Sequence, residues 1–232
     1  MRWRPENADG ALLTVVREQL RAAADPLLAP GMQAYMKSST PYLGVRVPAV
    51  RRLTRAAEKA RPPANVRVHL ATVAVLWDEA EFREERYAAA ALLDTPTARR
   101  LRAPDQVELL THMIRTGAWW DHVDELSHRV GDLLMLDRET MQPIVRDWSA
   151  SDDLWLRRSA IICQLGAKTG TDLELLGDVI EAAQHEKEFF LRKAIGWALR
   201  EYARTDPDWV RAFVDAHPAL SPLSRREALK HL

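Results

Sequence analysis

The chain has 232 residues, 47% of them apolar and 28% charged, enough to bury a sizeable core as one large domain or two small ones. Nine Gly and 13 Pro are too few for a fibrous or low-complexity chain, and no apolar run reaches the length of about 20 residues that spans a bilayer, so a membrane partner is not expected. Lys and Arg number 33 against 33 Asp and Glu, a balance that at first sight argues against a polyanionic partner.

The first ten residues, MRWRPENADG, lack the apolar stretch of a secretory signal, and the single Cys163 permits no intramolecular disulfide. A reducing, cytoplasmic setting is expected. Residues 11–24 place Leu12, Val15, Val16, Gln19 and Leu20 at helical spacing, and Pro26 and Pro30 are expected to end that helix. Pro48 precedes a basic helix that runs to about residue 61. Within residues 1–61, 11 Lys or Arg face 5 Asp or Glu. Arg46, Arg51, Arg52, Arg55, Lys59 and Arg61 have only Glu58 among them, so a positive surface survives the zero total. It is the local field that attracts a phosphate backbone.

The Pro62-Pro63 pair breaks that helix, and Pro62-Pro63-Ala64-Asn65 is the expected weak point of an otherwise single domain, 1–232. Apolar spacing resumes over residues 66–77. Further helices are expected near 82–93, 105–115, 119–135, 138–148, 153–167, 172–184, 188–204, 207–215 and 222–231. Alternating runs flanked by hairpin turns are missing, so the class is all-α. Trp120, Trp155 and Phe190 stand 35 residues apart, each opening an amphipathic helix. Stacked HEAT-like helical hairpins forming a curved solenoid predict such a repeat, with residues from successive hairpins converging on one concave groove.

Chemistry is sought among residues that the repeat brings together. Trp120 and Asp124 are i and i+4, hence on one helical face. Trp155 with Arg158 and Trp197 with Arg200 repeat an aromatic beside a charge at i and i+3. Trp119, rotated by about 100° from Trp120 on a helix, is expected to enter the core. Aromatic faces, a fixed carboxylate and phosphate-binding guanidinium groups together suit a polyanion that carries a local positive centre. His122 and His128 are six apart and poorly spaced as metal ligands. Cys163, within SAIICQLG, reads as a small core residue. Glycine-rich phosphate loops, G-x-S-x-G elbows and HExxH are lacking, so neither a cofactor nor a metal is expected.

Four ordered segments, YMKSSTPYLGVRVPAVRRL at 35–53, WWDHVDELSH at 119–128, WLRRSAIICQL at 155–165 and FFLRKAIGWALREYA at 189–203, resemble the AlkD-type DNA glycosylases, the HEAT-like-repeat DNA alkylation repair enzymes. The resemblance covers nearly the whole chain. It implies that Trp120 and Trp197 flank the lesion nucleotide, that Asp124 is the catalytic carboxylate and Arg158 the arginine close to it. It also implies that Arg200 lies near the DNA backbone and that Tyr35 and Lys37 contribute DNA contacts; Arg46 departs from the neutral polar residue of the family. Relatives without the acid or its arginine look like non-catalytic DNA binders, and this chain keeps both. The implied activity is removal of N3- and N7-alkylpurines such as 3-methyladenine and 7-methylguanine from duplex DNA by a monomer, without base flipping. A non-catalytic binder of damaged or branched DNA and a protein-interaction scaffold are the alternatives.

Overall fold

The computed structural model describes residues 3–232, and among them are fourteen α-helices, three short 3₁₀ turns and no strand. The expected all-α class of stacked helical hairpins is what the chain forms. Contacts gather into two compact units, one up to Leu109 and one from Leu110 to Leu232. The division falls at 109–110.

The first unit contains α1 (Gly10–Ala22), α2 (Ala29–Met36), α3 (Val47–Ala60), α4 (Val66–Asp78), α5 (Arg83–Leu92) and α6 (Pro96–Arg100). Here α1 packs on α3, α4 and α5, and α5 packs on α3 and α4. Pro30 corrects the sequence reading. It stands in the first turn of α2, where a missing N–H costs no intrahelical bond and the fixed φ favours the helix, so it opens a helix where a break is expected. Helix α6 escapes the periodicity for the same reason, its Pro96 lying just after the Thr95 N-cap. Helix α4 is buried around its circumference from His69 to Trp77, and burial pushes the His69 imidazole down to about 4, so that ring is neutral.

Helix α7 (Val107–Gly117) crosses the division, and the second unit contains α8 (Trp120–Leu136), α9 (Arg138–Ser149), α10 (Leu154–Ile162), α11 (Leu173–Glu181), α12 (Phe189–Tyr202), α13 (Pro207–Ala216) and α14 (Pro222–Ala228). Asp137, Asp153, Asp172, Asp206 and Ser221 accept a backbone N–H of the helix that follows each of them, a cap worth about 1 kcal/mol apiece. Helix α10 packs on both α8 and α12, and α12 on α14. These four make one row, with α9 and α11 in contact in another. The Ser127 hydroxyl donates to that of Ser159, Arg158 to the Phe190 carbonyl, Ser224 to the Arg192 carbonyl, and Arg146 to Asp178, each across 32 residues. Successive helices of a row therefore run parallel with a 32-residue step. The 35-residue spacing seen in the sequence is longer than this step.

Two glycines allow the row to close. A Cβ on Gly131 of α8 would lie 2.1 Å from the Cys163 carbonyl oxygen, and one on Gly196 of α12 would lie 2.5 Å from the Glu227 Cβ. No larger residue permits either backbone approach. Cys163 itself is buried, as expected, and its thiol is pushed up to about 12 by burial.

Candidate active site

The contact that draws attention in the second unit is an ion pair inside the helix row. Arg158 on α10 reaches Asp124 on α8 with both edges of its fork. Its Nε donates to Oδ1 at 2.7 Å and its Nη2 to Oδ2 at 2.9 Å, while Nη1 donates to the Phe190 carbonyl of α12 at 2.7 Å. One guanidinium thus ties three consecutive helices of the row. Its side chain is only 6% exposed, whereas the Asp124 side chain keeps 18%. An arginine this buried needs its charge and donors satisfied, and the pair does so while the carboxylate retains access to solvent.

The Asp124 carboxyl stands above its ordinary value. Burial raises it most, the Arg158 hydrogen bonds and charge pull it back, and Asp121 adds a smaller push upward. The helices that hold the pair are themselves fixed nearby. The Ser127 hydroxyl donates at 2.9 Å to that of Ser159, and the Asp153 carboxylate caps α10 through the Trp155 and Leu156 N–H groups.

Trp120 opens α8 one turn before Asp124 and is half-buried. Trp197 lies seven residues after Phe190 on α12, nearly the same face of that helix, and is also half-buried. The row therefore carries Trp120 with Asp124, Arg158, and Trp197 with Arg200 on three adjacent helices. Arg200 is engaged by the Glu227 carboxylate of α14, a partner that the sequence does not suggest.

Trp119 does not enter the core. It is the N-cap of α8, with extended backbone at φ −155° and ψ 149°, and follows Ala118 at φ +36°. Helical angles do not apply to a residue outside the helix, so the expected rotation fails. Its ring instead meets Trp155 at 6.0 Å and Phe190 at 5.7 Å, and the latter two stand 5.1 Å apart. This cluster braces the segment whose carbonyl holds Arg158, and the Arg158 guanidinium lies 5.9 Å from the Phe190 ring. The 35-residue pattern names Trp155 and Phe190 correctly as partners but takes Trp120 for Trp119.

The expected DNA-contacting residues of the first unit lie at its surface. Arg46, Arg51, Arg52, Arg55 and Lys59 are exposed on or beside α3, as is Lys37, and Tyr35 is 75% exposed. Glu58, the one acid in this stretch, is turned inward and accepts the Thr95 hydroxyl at 2.7 Å. Burial holds its carboxyl above the ordinary value. It therefore subtracts little from the positive face. Arg61 is exposed as well, but its Nε donates to both oxygens of Asp9, so its charge is paired. The segment between α2 and α3 is held by the buried Glu84 carboxylate, which accepts the N–H groups of Leu43, Gly44 and Val45 at 2.9–3.0 Å. Gly44 has φ +87°, and a Cβ there would lie 2.1 Å from the Asp25 carbonyl oxygen, so the turn requires glycine.

Among the described residues, no group of three or more His, Cys, Asp or Glu side chains could hold a metal ion, and no helix is long and apolar enough to cross a membrane.

Comparison with known proteins bears on this geometry. A family described as DNA alkylation repair enzyme matches residues 16–232. A solved structure from Enterococcus faecalis, described as a predicted DNA alkylation repair enzyme, is 30% identical in sequence. The similarity covers 90% of this chain and 96% of that one with a TM-score of 0.80. Among curated proteins none matches significantly.

Proposed function

The chain belongs to the DNA alkylation repair enzyme family, and from that premise we propose that it is a monofunctional DNA glycosylase that removes positively charged N3- and N7-alkylpurines from duplex DNA. A role in repair of alkylated DNA follows from the family. The finer reading rests above all on one observation, an accessible carboxylate held by a buried arginine in the row that carries both tryptophans.

A purine alkylated at N3 or N7 bears a formal positive charge, so it departs as a neutral base and needs no strong general acid. Positive charge then develops on the deoxyribose, which becomes oxocarbenium-like. An ionised Asp124 beside that sugar stabilises the developing cation, and the effect is larger where water is partly excluded. The same carboxylate orients or deprotonates the attacking water, as a single carboxylate does in inverting glycoside hydrolysis. Trp120 and Trp197 present electron-rich faces whose attraction grows with the charge on the sugar. Arg158 holds the carboxylate in register through two hydrogen bonds. The chemistry is assigned to the Asp124 carboxylate and not to an amine, so no Schiff-base lyase step is expected. Because the lesion's own charge supplies the leaving-group activation, neutral adducts are poor substrates and extrusion of the base is not required.

The test is release of free 7-methylguanine or 3-methyladenine from methylated duplex DNA. Base released in a time-dependent, cofactor-free reaction supports the reading. Binding to the duplex without release would make the protein a non-catalytic binder, and neither binding nor release would leave the scaffold.

The exposed face of α3 is the proposed track for the phosphate backbone. Replacing Arg51 and Arg52 by Gln should weaken binding and flatten the dependence of log K on log salt by about 0.9 for each phosphate that is no longer neutralised. A titration of affinity against salt that gives the wild-type slope would place the DNA path elsewhere.

A further inference from the structure

Helix α12 carries a second cation that the reading above does not use. Lys193 and Arg200 are seven residues apart, and Trp197 stands between them at i+4 from one and i−3 from the other, so all three share one stripe of the helix. Both cations converge on a single carboxylate. Lys193 Nζ lies 3.0 Å from Glu227 Oε1, and Arg200 Nη1 donates to Oε2 of the same group. The two cations hold the Glu227 carboxyl below its ordinary value.

Position matters more than the pairing. The Glu227 side chain is 12% exposed, that of Arg200 24% and that of Lys193 41%, so the acid is the most buried member of the cluster and both cations keep access to solvent. The arrangement is built into the packing. Gly196, on the next turn, leaves room for the Glu227 Cβ, and the Ser224 hydroxyl donates to the Arg192 carbonyl at 2.9 Å. An ammonium has three donors and a guanidinium five, and one carboxylate cannot satisfy them all.

We propose that Lys193 and Arg200 form a clamp for one backbone phosphate of the DNA strand beside Trp197, with Glu227 as the internal counter-ion that holds both cations in place before the duplex arrives. This rests on the function proposed above and deepens it, adding Lys193 and Glu227 to the site. A phosphate has the charge and acceptor geometry for an arginine fork beside an ammonium. Pre-ordering of the two long side chains lowers the entropy lost on binding.

The experiment uses undamaged duplex DNA, so that the clamp is read by binding and not by excision. Lys193→Gln should reduce the magnitude of the salt slope by about 0.9, and Lys193→Arg should restore it. Glu227→Gln removes the counter-ion that orders the two cations and should weaken binding at low salt several-fold without a smaller slope. Helical circular dichroism and thermal unfolding establish that each variant is folded. A folded Lys193→Gln protein with the wild-type slope overturns the clamp. So does a Glu227→Gln protein whose stability falls while its DNA affinity stays put, because the cluster is then only an internal brace. A wild-type protein that binds undamaged duplex with the expected slope but releases no base from methylated duplex sinks the glycosylase reading and leaves the clamp standing.

Discussion

Replacing Asp124 by Asn is expected to slow excision of 7-methylguanine by at least about 10²-fold, the loss found when one electrostatic stabiliser is removed from an active site, or about 2.7 kcal/mol of barrier. Asparagine keeps the volume and one acceptor oxygen but cannot oppose positive charge on the sugar. Affinity for the duplex should change little, since Arg158 remains tied to the Phe190 carbonyl and no phosphate-facing cation is touched. Single-turnover release of free base, measured beside equilibrium binding, separates the two. A variant that excises at the wild-type rate removes Asp124 from the chemistry. The pH profile gives an independent view. The Asp124 carboxyl sits above its ordinary value because it is buried, and only its ionised form works. Excision should therefore be lost as pH falls through that raised value, earlier than for a solvent-exposed aspartate of pKa about 3.9. Folding responds in the opposite sense. The native state holds this proton more firmly than the unfolded chain does, so the contribution of Asp124 to stability grows as pH falls through the same range.

Removing the arginine should be more disruptive still. Arg158→Met deletes a guanidinium that is 6% exposed and takes away the donors that both Asp124 oxygens accept. Loss of one member of a buried pair costs about 3–5 kcal/mol, and the lower end applies here because Asp124 is partly solvated. The orphaned carboxyl escapes part of that cost by taking up a proton, so the acid limb of excision moves to higher pH and the rate at neutral pH falls. Denaturant unfolding and a pH profile check both effects. The double variant Asp124→Asn with Arg158→Met should be more stable than Arg158→Met alone, because the unpaired charge is gone. A single Arg158→Met protein with wild-type stability and an unshifted acid limb would show that the pair does not set the state of Asp124.

Helical periodicity alone suffices to read the class and most of the helices, because the helices of the second unit bury stripes spaced at 3.6 residues and most begin at a capping or proline residue that is plain in the sequence. It fails where the backbone leaves the helix. Periodicity gives Trp119 a helical angle although it is an extended N-cap, and it reads Pro30 as a terminator although that proline starts α2. The i, i+4 relation of Trp120 and Asp124 is visible, as is the arginine in the next repeat. The partner that closes the site, the Phe190 carbonyl, is a backbone atom and leaves no mark on residue type. Glu58 shows the same limit for charge, since a count places it on the basic face and the fold turns it inward against Thr95. Glu227 and Lys193 lie in segments that periodicity marks as helical, yet only the close approach at Gly196 brings them together.

The burial of Cys163 has a consequence for a protein that works where DNA is being alkylated. Methylating agents are electrophiles, and a thiolate is the side chain most open to them. Behind the α8–α10 contact this sulfur is sealed from solvent and, with its ionisation pushed up to about 12, is almost wholly the unreactive thiol at neutral pH. The electrophiles that alkylate DNA are thereby kept from this one thiol.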